Sequence, residues 1–147
     1  MDKKNYVGYQ IKILNNVFSR KLGQELAKNV GEDLTRMQIW ILGYIYGQSK
    51  KEIPTFQRDI ESEFCIARST ATNILQLMVK KGIITKESVD YDDRLKKLVL
   101  TEKSDYLIQE HNRTIEEVEG MLTNGLTEDE IKQYIHLTQK MRQNLEQ

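Results

Sequence analysis

Apolar residues recur at spacings of three and four along most of this chain. Val7, Ile11, Leu14, Phe18, Leu22 and Leu26 form one stripe, which predicts an amphipathic helix over residues 5–29 that ends near Gly31. Thr35-Arg36-Met37-Gln38 then has the order of a capping box, with Leu34 and Ile39 at the flanking staple positions. The helix it opens is predicted to run to about Tyr46 and stop at Gly47. Pro54-Thr55 opens a third, short helix, with Thr55 as N-cap and Phe56, Ile60 and Phe64 facing inward. A fourth covers roughly residues 68–81, its buried stripe Ala71, Ile74, Leu75 and Met78 and its left-handed stop Gly82. Two β-rich pieces follow, 83–89 and 96–101, separated by the charged turn 90–94, which together signal a hairpin. After Thr101, a candidate N-cap, helical spacing returns in Leu107, His111, Ile115, Val118 and Leu122 and ends at Asn124-Gly125. A second capping box, Thr127 to Glu130, is stapled by Leu126 and Ile131, and its acids suit the positive end of a helix dipole. The last helix carries Ile131, Tyr134, Ile135, Met141 and Leu145.

The order helix, helix, helix, hairpin between residues 35 and 101 is that of a winged helix-turn-helix, whose second crossing helix reads DNA. The fold class expected is therefore mainly α with a small β-hairpin wing. The inward stripe of the fourth helix leaves Ser69, Thr72, Asn73, Gln76 and Lys80 on its opposite face. Each can donate a hydrogen bond, and short donors suit a helix lying close to base edges and phosphates. A merely solvated face would more often carry Glu among its Lys, yet residues 66–85 contain no acid.

Charge follows the same division. The 147 residues hold 22 Lys and Arg against 22 Asp and Glu, so a non-specific polyanion coat is excluded by the total. Residues 66–101 nevertheless carry seven basic and four acidic side chains, while residues 102–147 carry five and ten. A basic middle beside an acidic tail fits a localised polyanion-facing patch. The length is that of one domain. The single Cys cannot close an internal disulfide, residues 1–4 lead into no apolar signal-peptide core, and the longest apolar run, 39–46, falls well short of a membrane span. These features predict a cytoplasmic protein with no membrane partner. No nucleophile-base-orienter set, phosphate loop or metal motif stands in the sequence, and neither His111 nor His136 has a Cys or His at ligand spacing, so neither an enzyme nor a cofactor or metal is expected.

A head of residues 35–101 is too small to cover three further amphipathic helices. At 1.5 Å per residue, residues 5–29 span roughly 37 Å and residues 127–146 about 30 Å. Their stripes call for a second copy, so 1–34 and 102–147 are read as dimerisation helices. A two-fold axis would set two recognition helices about one DNA turn apart, over a pseudo-palindromic operator.

Residues 66–75 (Ile-Ala-Arg-Ser-Thr-Ala-Thr-Asn-Ile-Leu), Val79-Lys80-Lys81-Gly82-Ile83-Ile84, the wing Asp92-Asp93-Arg94 and the close Leu100-Thr101-Glu102-Lys103 together resemble the multiple-antibiotic-resistance regulator (MarR) family of bacterial winged-helix transcription factors. Residues 41–46 and 72–75 are more loosely similar to that family's multidrug-efflux repressors. The resemblance implies a homodimeric repressor of double-stranded DNA. It matches Arg94 to the wing arginine that enters the minor groove and Asp92 to the carboxylate that orients it, and extends the DNA-binding set to Arg68, Ser69, Thr70, Thr72, Asn73, Gln76, Lys80 and Lys96. Ala67 stands where the family often has a capping Ser, which shifts the expected helix start to a cap at Ser69. Tyr91 replaces a basic wing residue, and Ser104 a common Gly. The resemblance also implies a small lipophilic or phenolic effector between the dimer helices and the head, for which Phe18, Trp40, Tyr44 and His111 are candidate lining residues; plain core packing is their alternative. Two other functions stay open: a redox-responsive regulator acting through Cys65, and a winged-helix module that docks protein.

Overall fold

The computed structural model describes residues 2–29 and 34–147. A short 3-10 turn, Lys3–Asn5, leads into α1 (Val7–Asn29). The predicted end of that helix at Gly31 lies outside the described residues. The capping box forms as expected: the Thr35 N–H donates to Gln38 Oε1 (3.1 Å) and the Gln38 N–H to Thr35 Oγ1 (3.3 Å), opening α2 (Arg36–Lys50). Gly47 does not stop α2. Its φ is not positive, and the helix continues until Glu52 takes φ 58°.

Thr55 is not the N-cap of the third helix. Its carbonyl accepts from the Leu98 N–H (2.7 Å) in an isolated antiparallel bridge, which buries the residue and moves the helix start on. α3 (Gln57–Phe64) is capped instead by Asp59, whose Oδ2 accepts from the Phe56 N–H (2.8 Å). Phe56 and Ile60 are buried and Phe64 packs against the same core, as the periodicity predicted. Cys65 closes α3 in the left-handed region (φ 51°), and α4 (Arg68–Lys80) begins three residues later.

The start of α4 differs from the expected cap at Ser69. Ala67 is the N-cap, in extended conformation, and accepts the first intrahelical bond from Ala71 (3.0 Å). Extended backbone at that position suffices to start the helix, and without a side-chain acceptor its first-turn N–H groups stay available. Gly82 (φ 72°) turns the chain into β1 (Ile84–Val89), which pairs antiparallel with β2 (Asp92–Leu100). The hairpin turn is tighter than the predicted 90–94. Val89 pairs with Asp92 after a register irregularity at Ser88/Val89, so Asp90 and Tyr91 alone form the turn and Asp92 to Arg94 belong to β2.

Thr101 sits at the N-cap of α5 (Glu102–Leu122), but its hydroxyl faces backward, donating to the carbonyls of Gly82 (2.6 Å) and Ile83 (3.2 Å). The buried line of α5 is Ser104, Ile108, His111, Thr114 and Val118. Leu107 is half-buried and Leu122 exposed, because contact with α2 and α1, not apolar content, sets the inward face. Gly125 (φ 82°) precedes the second capping box, in which the Thr127 N–H donates to Glu130 Oε2 (2.9 Å) and the Glu130 N–H to Thr127 Oγ1 (3.1 Å), and α6 (Glu128–Leu145) follows.

Two cores result. The larger joins Ile41, Leu42 and Ile45 of α2 to Ile60, Leu75, Met78, Ile84, Leu98 and Ile108, and holds the winged head together. Each such side chain contributes roughly 1.5–3 kcal/mol on burial. The smaller joins Leu22 and Leu26 to Ile39 and Val118, fixing the C-terminal half of α1 on α2 and α5. The N-terminal half of α1 leaves Val7, Ile11, Leu14 and Val17 exposed, and no residue of α6 is buried.

Candidate nucleic-acid interface

The buried stripe of α4 (Ala71, Leu75, Met78) aims the rest of the helix outward. Arg68, Ser69, Thr70, Asn73, Gln76 and Lys80 are all exposed. Thr72 is not free in the same way. It is half-buried, its hydroxyl donates to the Arg68 carbonyl (2.9 Å), and it accepts from Gln57 Nε2 (2.9 Å), which also reaches the Arg68 carbonyl (3.4 Å). Thr72 therefore locks the first turn of α4 to α3 instead of facing outward, because the α3–α4 crossing brings Gln57 against it. The apolar Leu77 and Val79 are exposed on the same helix.

On the wing, the Arg94 backbone N–H donates to Asp92 Oδ1 (2.8 Å). Asp92 thus orients Arg94 through its main chain, and among the described residues no carboxylate lies within ion-pair distance of the guanidinium. The register places Ser88 opposite Lys96 and Lys86 opposite Leu98, so one face of the hairpin carries Lys86, Arg94 and Lys96. Lys96 Nζ donates to Ser88 Oγ on that face. Glu87 and Lys97 pair on the other (3.9 Å).

Between this face and the start of α4 lies a cleft of about 440 Å³, lined by Gln57, Arg58, Glu61, Arg68, Thr72, Lys86, Arg94 and Lys96 over an apolar floor that includes Phe56 and Leu98. Four sequence candidates, Arg68, Thr72, Arg94 and Lys96, converge on it. Ser69, Thr70, Asn73, Gln76 and Lys80 stand on α4 beyond its walls, and Asp92 acts from behind Arg94. Gln57, Arg58 and Lys86 are additions that the sequence reading missed. Their charge and polarity were visible, but the spacing of an eight-residue helix does not say which of its sides a distant hairpin will face.

The effector candidates do not form one cavity. Phe18 stacks on Trp40 (6.5 Å between centroids), while Tyr44, one turn further along α2, meets Phe64 edge-on (6.0 Å). Burial, then Glu63 and Asp59, raise the Tyr44 pKa above the ordinary tyrosine value, which keeps its phenol a hydrogen-bond donor. Phe18 also lines a small pocket of about 150 Å³ with Leu14, Val17 and Val118, apart from the other three. His111 is enclosed in α5 with no hydrogen-bond partner for either ring nitrogen among the described residues, and burial lowers its pKa, against a smaller opposing effect of Glu110. Cys65 is exposed, its Sγ 3.5 Å from Glu146 Oε1 and 3.8 Å from the Ser62 carbonyl. Among the described residues no His, Cys, Asp and Glu cluster could hold a metal ion, and no helix is long and apolar enough to cross a membrane.

A helix-turn-helix with a cationic wing face beside an exposed polar helix defines a winged-helix protein of the reading-head type. Residues 32–95 match the profile of the MarR family. Over its length the chain is similar to the transcription regulator MarR from Oenococcus oeni PSU-1, with 30% identity, 97% of this chain and 100% of that chain covered, and a TM-score of 0.78. The chain belongs to the MarR family of transcription regulators. The same fold recurs in Staphylococcus aureus MepR, solved as a DNA complex, at 24% identity, 98% and 99% coverage and a TM-score of 0.85. It recurs again in Bordetella bronchiseptica BpsR, whose DNA binding is regulated by 6-hydroxynicotinic acid, at 17% identity, 97% and 96% coverage and a TM-score of 0.81.

Proposed function

We propose that this chain is a cytoplasmic, homodimeric, sequence-specific DNA-binding repressor whose affinity for its operator falls when a small lipophilic or phenolic effector binds. The observation that carries the reading is the cation-lined cleft between an exposed polar α4 and a wing whose Arg94 has no ion-pair partner among the described residues. In this reading α4 enters the major groove, where Asn73 and Gln76 meet base edges and Ser69, Thr70 and Lys80 contact the backbone. Arg94 enters the neighbouring minor groove, where a narrow A·T-rich stretch concentrates negative potential.

The exposed stripe of α1 (Val7, Ile11, Leu14) and the bare apolar side chains of α6 (Tyr134, Ile135, Leu137) support the dimer, with 35–101 as the reading head. The Phe18–Trp40 stack joins α1 to α2, and Tyr44 meets Phe64 of α3 one turn further along α2, so a ligand that parts the first pair would shift the head against the dimer helices. A coupling of about 1–3 kcal/mol would change affinity roughly 5- to 150-fold.

Selection of bound duplexes from a random pool at physiological salt, with Arg94→Ala beside the native protein, tests the reading. Enrichment of a pseudo-palindrome by the native chain, diminished in the variant, supports it. No enrichment from folded native protein would overturn it and favour a protein-docking module.

A further inference from the structure

We propose that Arg58 of α3 and Lys86 of β1 grip, from opposite walls of the cleft, the sugar-phosphate strand that separates the major groove read by α4 from the minor groove entered by the wing. The inference rests on the DNA-reading function above and adds a pair of backbone contacts to it. A helix in one groove and a hairpin tip in the next necessarily straddle one backbone ridge of the duplex, and that ridge carries a phosphate charge at each nucleotide. The cleft between α4 and the wing is the concave surface that receives it.

Both side chains are disposed for that role. The Arg58 guanidinium lies over the ring of buried Phe56, 5.1 Å from its centroid, which holds the exposed cation toward the cleft. Asp59, its sequence neighbour, is engaged at the Phe56 N–H and does not neutralise it. Lys86 shares its face of the hairpin with Arg94 and Lys96, whereas the adjacent acid, Glu87, is directed to the opposite face and pairs with Lys97. Arg68 adds a further cation to the α4 side of the cleft, against the acid Glu61. Neither Arg58 nor Lys86 has an ion-pair partner among the described residues, so their charge is available to phosphate.

The test is the salt dependence of binding, measured by anisotropy on a fluorescein-labelled duplex carrying the enriched pseudo-palindrome and on a scrambled duplex of equal length. Native protein, Arg58→Gln, Lys86→Gln, Arg58→Lys and the α6 control Lys132→Gln are compared after circular dichroism confirms folding. Removing one protein–phosphate ion pair lowers the slope of log affinity against log salt by about 0.9, so each Gln variant should lose close to two units in a dimer on two half-sites. The ratio of affinities for the enriched and scrambled duplexes should stay constant, and Arg58→Lys and Lys132→Gln should keep the native slope. Native slopes in both Gln variants would overturn the inference while leaving the DNA-reading function standing. A collapse of the affinity ratio at unchanged slope would overturn it as well, by making Arg58 or Lys86 a base reader. Failure of folded native protein to bind either duplex would overturn the function itself, and the inference with it.

Discussion

Asp92 holds Arg94 by its backbone: the carboxylate oxygen accepts from the Arg94 N–H at 2.8 Å. An amide oxygen can accept that bond as well as a carboxylate can, whereas a methyl group cannot. Asp92→Asn is therefore expected to keep DNA affinity within about twofold. Asp92→Ala should lose roughly 0.5–1.5 kcal/mol, the ordinary worth of one such bond. Titrations of both variants check this. Equal losses in the two would show that charge on Asp92, not main-chain geometry, sets the wing.

Gln57 ties α3 to the first turn of α4 through Thr72 Oγ1 and the Arg68 carbonyl. Its removal should loosen the recognition helix. Gln57→Ala is expected to weaken binding to the enriched duplex by about 0.5–1.5 kcal/mol, with thermal stability lowered by a comparable amount. Thr72→Val should reproduce the effect, and a double variant should show less than the sum, since both substitutions break one network.

Cys65 occupies the left-handed region at the α3–α4 turn, where a side chain is strained and Gly is not. Its thiol makes weak contacts to Ser62 and Glu146. Cys65→Gly is expected to stabilise the fold by up to about 1 kcal/mol, read as a higher urea midpoint. A lowered midpoint would mean that the thiol contacts outweigh the backbone strain.

His111 sets a pH dependence whose sign follows from its burial. Burial lowers its pKa in the fold, so the folded ring stays neutral where the unfolded one already binds a proton. The unfolded ring protonates as pH falls past about 6.5. Its contribution to stability is therefore complete above that pH and is lost progressively below it, towards the lowered value of the folded state. Urea denaturation should show the native protein weaker at pH 5.5 than at 7.5, with a smaller difference in His111→Leu. An unchanged difference would assign the acid sensitivity to other groups.

The capping boxes at Thr35 and Thr127 and the left-handed stop at Gly82 were legible because each is closed by residues within four positions of one another. The α4 stripe was legible for the same reason, since three-to-four spacing is itself the geometry of a helix face. Thr55 bridges instead of capping because its partner, Leu98, lies 43 residues away on β2, beyond the reach of local pattern, and that non-local bond outweighs a local preference to cap. In α5 His111 and Val118 lie on the buried line as their spacing predicts, while Ile108 and Thr114 replace Leu107 and Ile115, since the surfaces of α1 and α2 choose which side of an amphipathic helix turns inward.

Residue order by itself determined the succession of helices and hairpin, the acid-free recognition helix and the wing Arg94, because those depend on local hydrogen bonding, periodicity and side-chain type. Only the tertiary structure decided that Thr72 turns to Gln57, that Asp92 grips main chain, that Arg58 and Lys86 line one cleft and that His111 is buried. Each of these is a contact between segments far apart in the chain, where packing of the whole head selects among side-chain directions that local physics leaves equivalent.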